Sequence, residues 1–208
     1  RLITHPGVRK IVFTGSTDVG TRVMAAAAAR VKRVTLELGG KSANIIFDDC
    51  DLELAAATAP YGVFDNAGQD CCARSRILVQ RNVFDRFMEL LEPAVTGVVV
   101  GDPTDRGTEM GPLVSRTHFE SVAAYVPDGS PVAFRGTAPS GPGYWFPPTV
   151  LTPERADRTA TEEIFGPVVA VLPFEDEADA VALANATDYG LSGSIWTDNL
   201  SRALRVSR

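Results

Sequence analysis

The sequence predicts an α/β fold, and three observations carry that prediction. Short apolar runs such as Lys10-Ile-Val-Phe13 and Val168-Val-Ala-Val-Leu172 alternate with longer stretches of helical periodicity, the pattern of strands joined by helices. Glycine turns punctuate the segments, at Thr14-Gly-Ser-Thr-Asp18 and at Gly39-Gly40. The composition is ordinary for a globular protein: of 208 residues, 45% are hydrophobic and 22% charged, which excludes disorder and low complexity.

The elements follow in order. Lys10-Ile-Val-Phe13 reads as a short buried strand, and residues 19–30, rich in alanine, as a helix with Thr17 or Asp18 near its cap. Val34-Thr-Leu-Glu-Leu38 alternates at period two, so Val34, Leu36 and Leu38 face one way and Thr35 and Glu37 the other. Asn44-Ile-Ile-Phe47 is a strand. Asp48 to Asp51 offer caps for a helix reaching Asp65, with a kink expected at Pro60. Arg76-Ile-Leu-Val-Gln80 is a strand, and 84–95 an amphipathic helix that Pro93 is placed to shorten. Residues 101–111 form a loop with Gly-Asp-Pro and Met-Gly-Pro turns, and 115–126 are helical. The Pro- and Gly-rich stretch 127–148 is mostly loop around a short strand at Val132-Ala-Phe134. Residues 168–172 form a strand, 176–186 a helix and 191–196 a strand, and Asp198 is the expected cap of a final helix. No internal repeat is present. A composition shift near Gly39-Gly40 marks the candidate domain boundary.

Charge and cysteine content narrow the function. Twenty Lys plus Arg against 26 Asp plus Glu leave a net charge of −6, which argues against a general nucleic-acid binder. Small anions remain possible ligands, since backbone amides bind them without net positive charge. No apolar run approaches the ~20 residues that span a bilayer. Cys50 and the adjacent pair Cys71 and Cys72 are no disulfide framework. They fit a reducing compartment, so a cytoplasmic location is expected. The chain has no C-x-x-C, and His5 and His118 make no ligand spacing with the pair, so no metal is expected. The chain opens on Arg1 with no visible signal or transit segment and stops at Arg208 inside a helical pattern. An internal fragment of a longer chain is therefore expected.

Four segments could carry chemistry, each with a plainer alternative. The turn at Gly15-Ser16 leads into a helix N-terminus, where free N–H groups and the helix dipole favour a phosphate. Gly15 would permit close approach and Ser16 would add a hydroxyl, but the segment is neither G-x-G-x-x-G nor a Walker loop, and an ordinary βα turn reads the same. Glu37 lies in an apolar strand, where a carboxylate held among apolar neighbours suits a general base. The alternative is a solvated residue on an edge strand. Cys71, just after the Gly68 turn, is placed for exposure to a ligand with backbone N–H groups nearby for an oxyanion. The alternative is a structural pair with Cys72. Glu162-Glu163 before Phe165-Gly-Pro167 could orient a hydroxylated ligand against the Phe165 ring, or form a solvated acidic turn.

Taken together and in this order, the motifs resemble the aldehyde dehydrogenase superfamily. The resemblance rests on Phe13-Thr-Gly-Ser-Thr17, Leu36-Glu-Leu-Gly-Gly-Lys41, Gly68-Gln-Asp-Cys71 and Glu162-Glu-Ile-Phe-Gly-Pro-Val168. Glu109-Met-Gly-Pro-Leu113 and Asp188-Tyr-Gly-Leu191 are further landmarks, so it covers essentially the whole chain.

The resemblance implies a fold and a set of roles. Residues 1–39 would be the C-terminal part of a Rossmann-type NAD(P)-binding domain, and 40–208 most of the α/β catalytic domain, truncated at its C-terminus. The family's N-terminal half and its oligomerisation strand would lie outside the chain, with the parent a homodimer or homotetramer. Cys71 would be the nucleophile that attacks an aldehyde, forming a thiohemiacetal and then a thioester. Its backbone N–H and an upstream Asn, absent here, would hold the oxyanion. Glu37 would activate the water that releases the acid. Gly15 and Ser16 would meet the phosphates of NAD or NADP, Leu38 and Gly39 would lie beside the nicotinamide, Glu163 would bind the nicotinamide ribose, and Phe165 would pack at the same end. A Lys that contacts the adenine ribose lies upstream in the family. The stretch 125–132 is shorter than the family's usual helix–loop–strand passage. Asp70 is unusual for the family and suggests a cationic substrate, an aminoaldehyde or betaine aldehyde, unless it points into a neighbouring loop. A CoA-acylating enzyme is the near alternative, disfavoured by Glu37. A cysteine hydrolase lacks a histidine partner, and a catalytically dead relative would not need Cys71, Glu37 and Glu163.

Overall fold

The computed structural model describes residues 1–208. Contacts divide them into two compact units, Arg1–Gly40 and Lys41–Arg208.

The first unit is a single βαβ passage. Strand β1 (Lys10–Thr14) pairs in parallel with β2 (Arg33–Glu37), Phe13 opposite Leu36 and Thr14 opposite Glu37. Helix α1 (Thr17–Ala28) connects them. Its N-cap is Ser16, whose hydroxyl accepts from Val19 N–H at 3.4 Å, and not Thr17 or Asp18. Both of those fall inside the first turn. Gly20 is buried on α1 because the Leu38 side chain covers it: a Cβ there would meet Leu38 Cδ2 at 2.4 Å.

The second unit holds a six-stranded sheet in the order β5-β6-β7-β4-β3-β8. The strands are β3 (Ala43–Ile46), β4 (Arg76–Gln80), β5 (Val132–Arg135), β6 (Thr149–Leu151), β7 (Val168–Phe174) and β8 (Gly193–Trp196). All neighbours are parallel except the β5–β6 pair. Parallel strands need both faces covered, and the central ones read that way. Ile46, Ile77, Val79, Val169 and Val171 enter one cluster with Val63 and Phe64 of α2 (Leu52–Phe64) and Phe87 and Leu91 of α3 (Phe84–Thr96). Ile45, Phe47, Leu78, Ala170, Leu172 and Phe174 enter the other with Ala180 and Leu183 of α6 (Glu177–Ala184). The alternation is the period of two that puts successive side chains on opposite faces.

Several boundaries differ from expectation, each for a local reason. Pro93 does not shorten α3, which runs on to Thr96. β7 continues through Pro173 to Phe174. The helix expected over 115–126 is α4 (Arg116–Ala123), and the strand expected over 191–196 begins at Gly193. The final helix α7 (Leu200–Val206) is capped by Asn199, which accepts from Arg202 N–H at 3.0 Å, and not by Asp198. β6 and the single-turn helix α5 (Arg158–Thr161) have no counterpart in the periodicity. No helix is long and apolar enough to cross a membrane.

Candidate active site

The cysteine loop begins where α2 ends. A 3-10 turn over Asp65–Gly68 places Asn66, Ala67 and Gly68 consecutively at φ of 51°, 56° and 68°. Left-handed backbone costs roughly 1–2 kcal/mol at each non-glycine residue, so tertiary contacts must hold it. Gly68 shows how: a Cβ there would lie 2.2 Å from the Gly166 carbonyl oxygen. Gly166 is equally tight, its own Cβ position 2.6 Å from Val122 Cγ2 of α4. The Gly166 backbone thus takes the place that a Gly68 side chain would fill, and the Val122 side chain takes the place of one at Gly166. The contact brings the Cys71 motif to the Glu163–Phe165 motif, sequence segments almost a hundred residues apart.

Side chains lock the loop from within. Asn66 Nδ2 donates to the Gln69 carbonyl and Gln69 Nε2 to the Asn66 carbonyl, both at 3.0 Å. Gln69 Oε1 accepts from Val114 N–H at 2.9 Å. This ties the loop to the segment after Met110-Gly-Pro-Leu113, where Met110 and Leu113 are core residues. Phe165 has φ 57°, and its carbonyl accepts from His118 Nε2 at 2.7 Å. The two rings stack edge to face. His118 therefore serves the Phe165 loop.

Cys71 and Cys72 are both half-buried free thiols. Burial pushes the Cys71 thiol up, and the neighbouring Cys72 thiol and the Asp70 carboxylate push the same way. Its own backbone N–H favours the thiolate, but more weakly than burial and its neighbours oppose it. In this arrangement Cys71 rests as a thiol and needs a base or a bound cation to become a nucleophile. Asp70 is exposed, and its Oδ1 accepts from Cys72 N–H at 3.1 Å. Its carboxylate and the two sulfurs lie within 4.8 Å of one another. The carboxylate is thus folded back beside the Cys71 sulfur rather than into a separate loop.

The other predicted residues fall as follows. Glu163 is half-buried and Phe165 is 39% exposed, a side chain available as a wall. In the first unit Glu37 is exposed at the end of β2. The Gly15 N–H donates to the Glu37 carbonyl at 3.0 Å, which leaves close backbone approach as what Gly15 can offer a ligand. A Cβ there would strike the Phe13 ring at 2.6 Å, so the glycine answers to Phe13. The donors left for an anion are those of Thr17 and Asp18, which open the 12-residue α1 without intrahelical partners. Asp18 pairs with Arg22 at 2.7 Å, which offsets its charge at that terminus. Leu38 and Gly39 are half-buried, Leu38 over Gly20.

Sequence reasoning missed Lys41 and Arg76. Lys41 is 1% exposed, and its Nζ has no hydrogen-bond partner. Arg76, equally buried, spends its guanidinium on the carbonyls of Lys41, Leu183 and Ala184 at 2.8–2.9 Å. Both line a cleft of about 630 Å³, together with Ser42, Tyr189, Ser194 and Arg205. Cys71 does not line it. The signal for Lys41 was its place between a Gly-Gly turn and an apolar strand, a poor place to solvate an ammonium.

Comparisons with known proteins bear on the same residues. The model of the aldehyde dehydrogenase family matches residues 1–208. A betaine aldehyde dehydrogenase of Rhizobium leguminosarum bv. trifolii is 45% identical over 99% of the chain, which spans 44% of that protein. The structure of betaine aldehyde dehydrogenase from Staphylococcus aureus, solved in complex with NAD+, superposes with a TM-score of 0.92 at 40% identity, over 99% of this chain and 42% of that one. Gamma-glutamyl-gamma-aminobutyraldehyde dehydrogenase from Burkholderia cenocepacia superposes with a TM-score of 0.95 at 42% identity, over 100% of this chain and 43% of that one. The chain therefore spans less than half the length of the relatives it matches. Since the match runs without a break through both units and every motif described above, the chain belongs to the aldehyde dehydrogenase family.

Proposed function

We propose that these residues are the catalytic centre of a longer NAD(P)-dependent enzyme that oxidises an aldehyde to a carboxylic acid. The observation that carries the reading is the Gly68–Gly166 contact, which sets the Cys71 loop against the Glu163–Phe165 loop. In this reading residues 1–39 are the end of the cofactor domain and 40–208 the catalytic domain. The parent is a cytoplasmic homodimer or homotetramer.

The residues divide the work. The amides that open α1, with Ser16, would receive the cofactor's phosphates, with Leu38 and Gly39 beside the nicotinamide, Glu163 at the nicotinamide ribose and Phe165 at the same end. When bound, NAD(P) supplies a hydride acceptor. Cys71 gives its proton to a solvent water, and its sulfur attacks the aldehyde carbon, forming a C–S bond as the carbonyl π bond breaks. The carbonyl oxygen becomes an oxyanion, and the Cys71 N–H donates to it. After oxidation Cys71 carries a thioester. Glu37 takes a proton from water, the hydroxide adds to the thioester carbon, and the thiolate leaves with the acid released.

Asp70 supports a cationic substrate. Its carboxylate stands within 4.8 Å of the nucleophile's sulfur, and relatives carry the names betaine aldehyde dehydrogenase and gamma-glutamyl-gamma-aminobutyraldehyde dehydrogenase. A positive substrate beside Asp70 would also relieve its hold on the Cys71 proton.

The test is NADH formation by the full-length protein against a panel of aldehydes. Cys71→Ala should abolish it. Glu37→Gln should keep a first-turnover burst and slow the steady state, and an unchanged steady state refutes that role. Aminobutyraldehyde should exceed a neutral aldehyde of equal length in kcat/KM, and Asp70→Asn should erase the preference. The 208 residues alone should neither bind NAD tightly nor turn over, so NADH formed by the isolated segment would count against the division of domains.

A further inference from the structure

The turn that carries Cys71 also carries a second thiol and a carboxylate. Cys71 and Cys72 are half-buried free thiols beside an exposed Asp70. A carboxylate oxygen and the two sulfurs lie within 4.8 Å of one another. A tetrahedral divalent ion, about 2.3 Å from each sulfur and about 2.0–2.2 Å from an oxygen, holds such atoms roughly 3.5–3.8 Å apart. Small side-chain rotations therefore close the three around an ion. The backbone beneath them is fixed on both sides. Before the turn, Gln69 is tied to the Asn66 carbonyl and to Val114 N–H. Within it, Ala73 N–H donates to the Asp70 carbonyl at 3.1 Å, and after it Arg74 N–H donates to the Gly62 carbonyl at 2.8 Å. Asp70 Oδ1 accepts from Cys72 N–H at 3.1 Å, which orients the carboxylate and leaves Oδ2 for an ion. The donors are thus held in place before an ion arrives, which lowers the ordering cost of binding.

The donor set selects the ion. Two thiolates and a carboxylate favour Zn2+ or Cd2+ over Mg2+ and Ca2+, which take oxygen ligands. Three protein ligands leave the fourth position to water. No histidine and no C-x-x-C accompanies the pair in the sequence, and the structure supplies a carboxylate in their place. A disulfide is the competing use of two thiols, and adjacency disfavours it. Neighbouring Cα atoms stand about 3.8 Å apart across a trans peptide, short of the roughly 4.4–6.8 Å that disulfides span. An ion between the sulfurs asks for no S–S bond.

We propose that Asp70, Cys71 and Cys72 form an inhibitory site for a thiophilic divalent cation of the zinc class. As each metal–sulfur bond forms, the thiol gives its proton to water, so one ion releases two protons and nothing is oxidised or reduced. The sulfur lone pair of Cys71 that would attack an aldehyde is then held by the ion, and a chelator restores it. The inhibition rests on the reading of Cys71 as the nucleophile, whereas the binding does not.

The experiment is titration of the reduced full-length protein with Cd2+, free of NAD and aldehyde, read by the ultraviolet charge-transfer absorption of cadmium–thiolate bonds. Cys71→Ser and Cys72→Ser should each remove one thiolate's share of the absorption and weaken binding by at least about 100-fold. Asp70→Asn should keep the absorption and weaken binding by about tenfold. Zn2+ should displace Cd2+, and a large excess of Mg2+ should not. In the NADH assay, Cys72→Ser should match the wild type without metal and resist a Zn2+ concentration that silences the wild type, and EDTA should restore the wild type. The site is overturned if Cys72→Ser leaves the absorption and the affinity unchanged, or if Asp70→Asn leaves the affinity unchanged. If Cys71→Ala still forms NADH, the nucleophile reading fails and the inhibition with it, while the Cd2+ titration decides the binding site independently.

Discussion

Strands β1 and β2 alternate exposed and half-buried residues over all five positions, whereas β3 is buried at all four of its positions and β7 at six of seven. Both regions are parallel sheet joined by helices, yet only the second has cover on both faces. Val12 of β1 is 66% exposed, while Val79, Val169 and Val171 on the larger sheet are 1% exposed or less. The difference teaches where a residue's chemistry is governed by its surroundings. In Lys41–Arg208 two dense clusters of apolar side chains can hold backbone in costly conformations and keep a lysine from water. In Arg1–Gly40 the two strands and one helix bury little of each other, and Glu37 and Ser16 are exposed within this chain, which spans less than half the length of its relatives.

The largest effect expected from this contrast is at Gly68. A methyl group there faces a backbone oxygen at 2.2 Å, at positive φ, so Gly68→Ala should cost more than about 4 kcal/mol or prevent folding. Denaturant unfolding that shows less than about 1 kcal/mol would mean the loop yields freely and is not held by the core. Next come paired truncations. Phe87→Ala, from a fully buried ring on α3, should cost about 3–5 kcal/mol, and Val12→Ala within about 0.5 kcal/mol. Comparable losses from the two would erase the distinction between the units. The smallest effect separates their ion pairs. Arg155 donates to both oxygens of Asp179 at 2.6 and 2.7 Å and holds that carboxyl down to about 2. A depressed carboxylate stabilises above its unfolded pKa of ~3.9 and loses that contribution as pH falls toward the folded value. Asp179→Asn should therefore cost about 1 kcal/mol at neutral pH, after allowance for Arg155's exposure, and nothing at the acid limit. The same change at Asp18, whose pair with Arg22 is open to solvent, should leave acid unfolding where it was.

Much of the fold was legible in the residues themselves. Period-two and unbroken apolar runs marked β1, β2, β3, β4, β7 and β8 to within a few residues, because those strands take their pattern from burial. β6 escaped because three residues after Pro147-Pro148 carry no period, and they are strand only because β5 and β7 flank them. Caps slipped by one or two positions where several side chains competed: Ser16 prevailed over Thr17 and Asp18, and Asn199 over Asp198. Cys71, Glu163 and Phe165 stood out as motif residues, while their neighbours did not. Ala67 carries no mark of left-handed backbone, and the burial of Lys41 is signalled only by its place between a Gly-Gly turn and an apolar strand.

The sequence by itself determined the α/β class and the order of motifs, because hydrophobic period and local residue order are properties of the string. Only the tertiary structure decided that Gly15 answers to Phe13, that Gly68 rests on Gly166, and that Lys41 lies buried without a hydrogen-bond partner. Each of these depends on which distant atom fills a space or withholds water, and such pairings exist only once the chain has closed on itself.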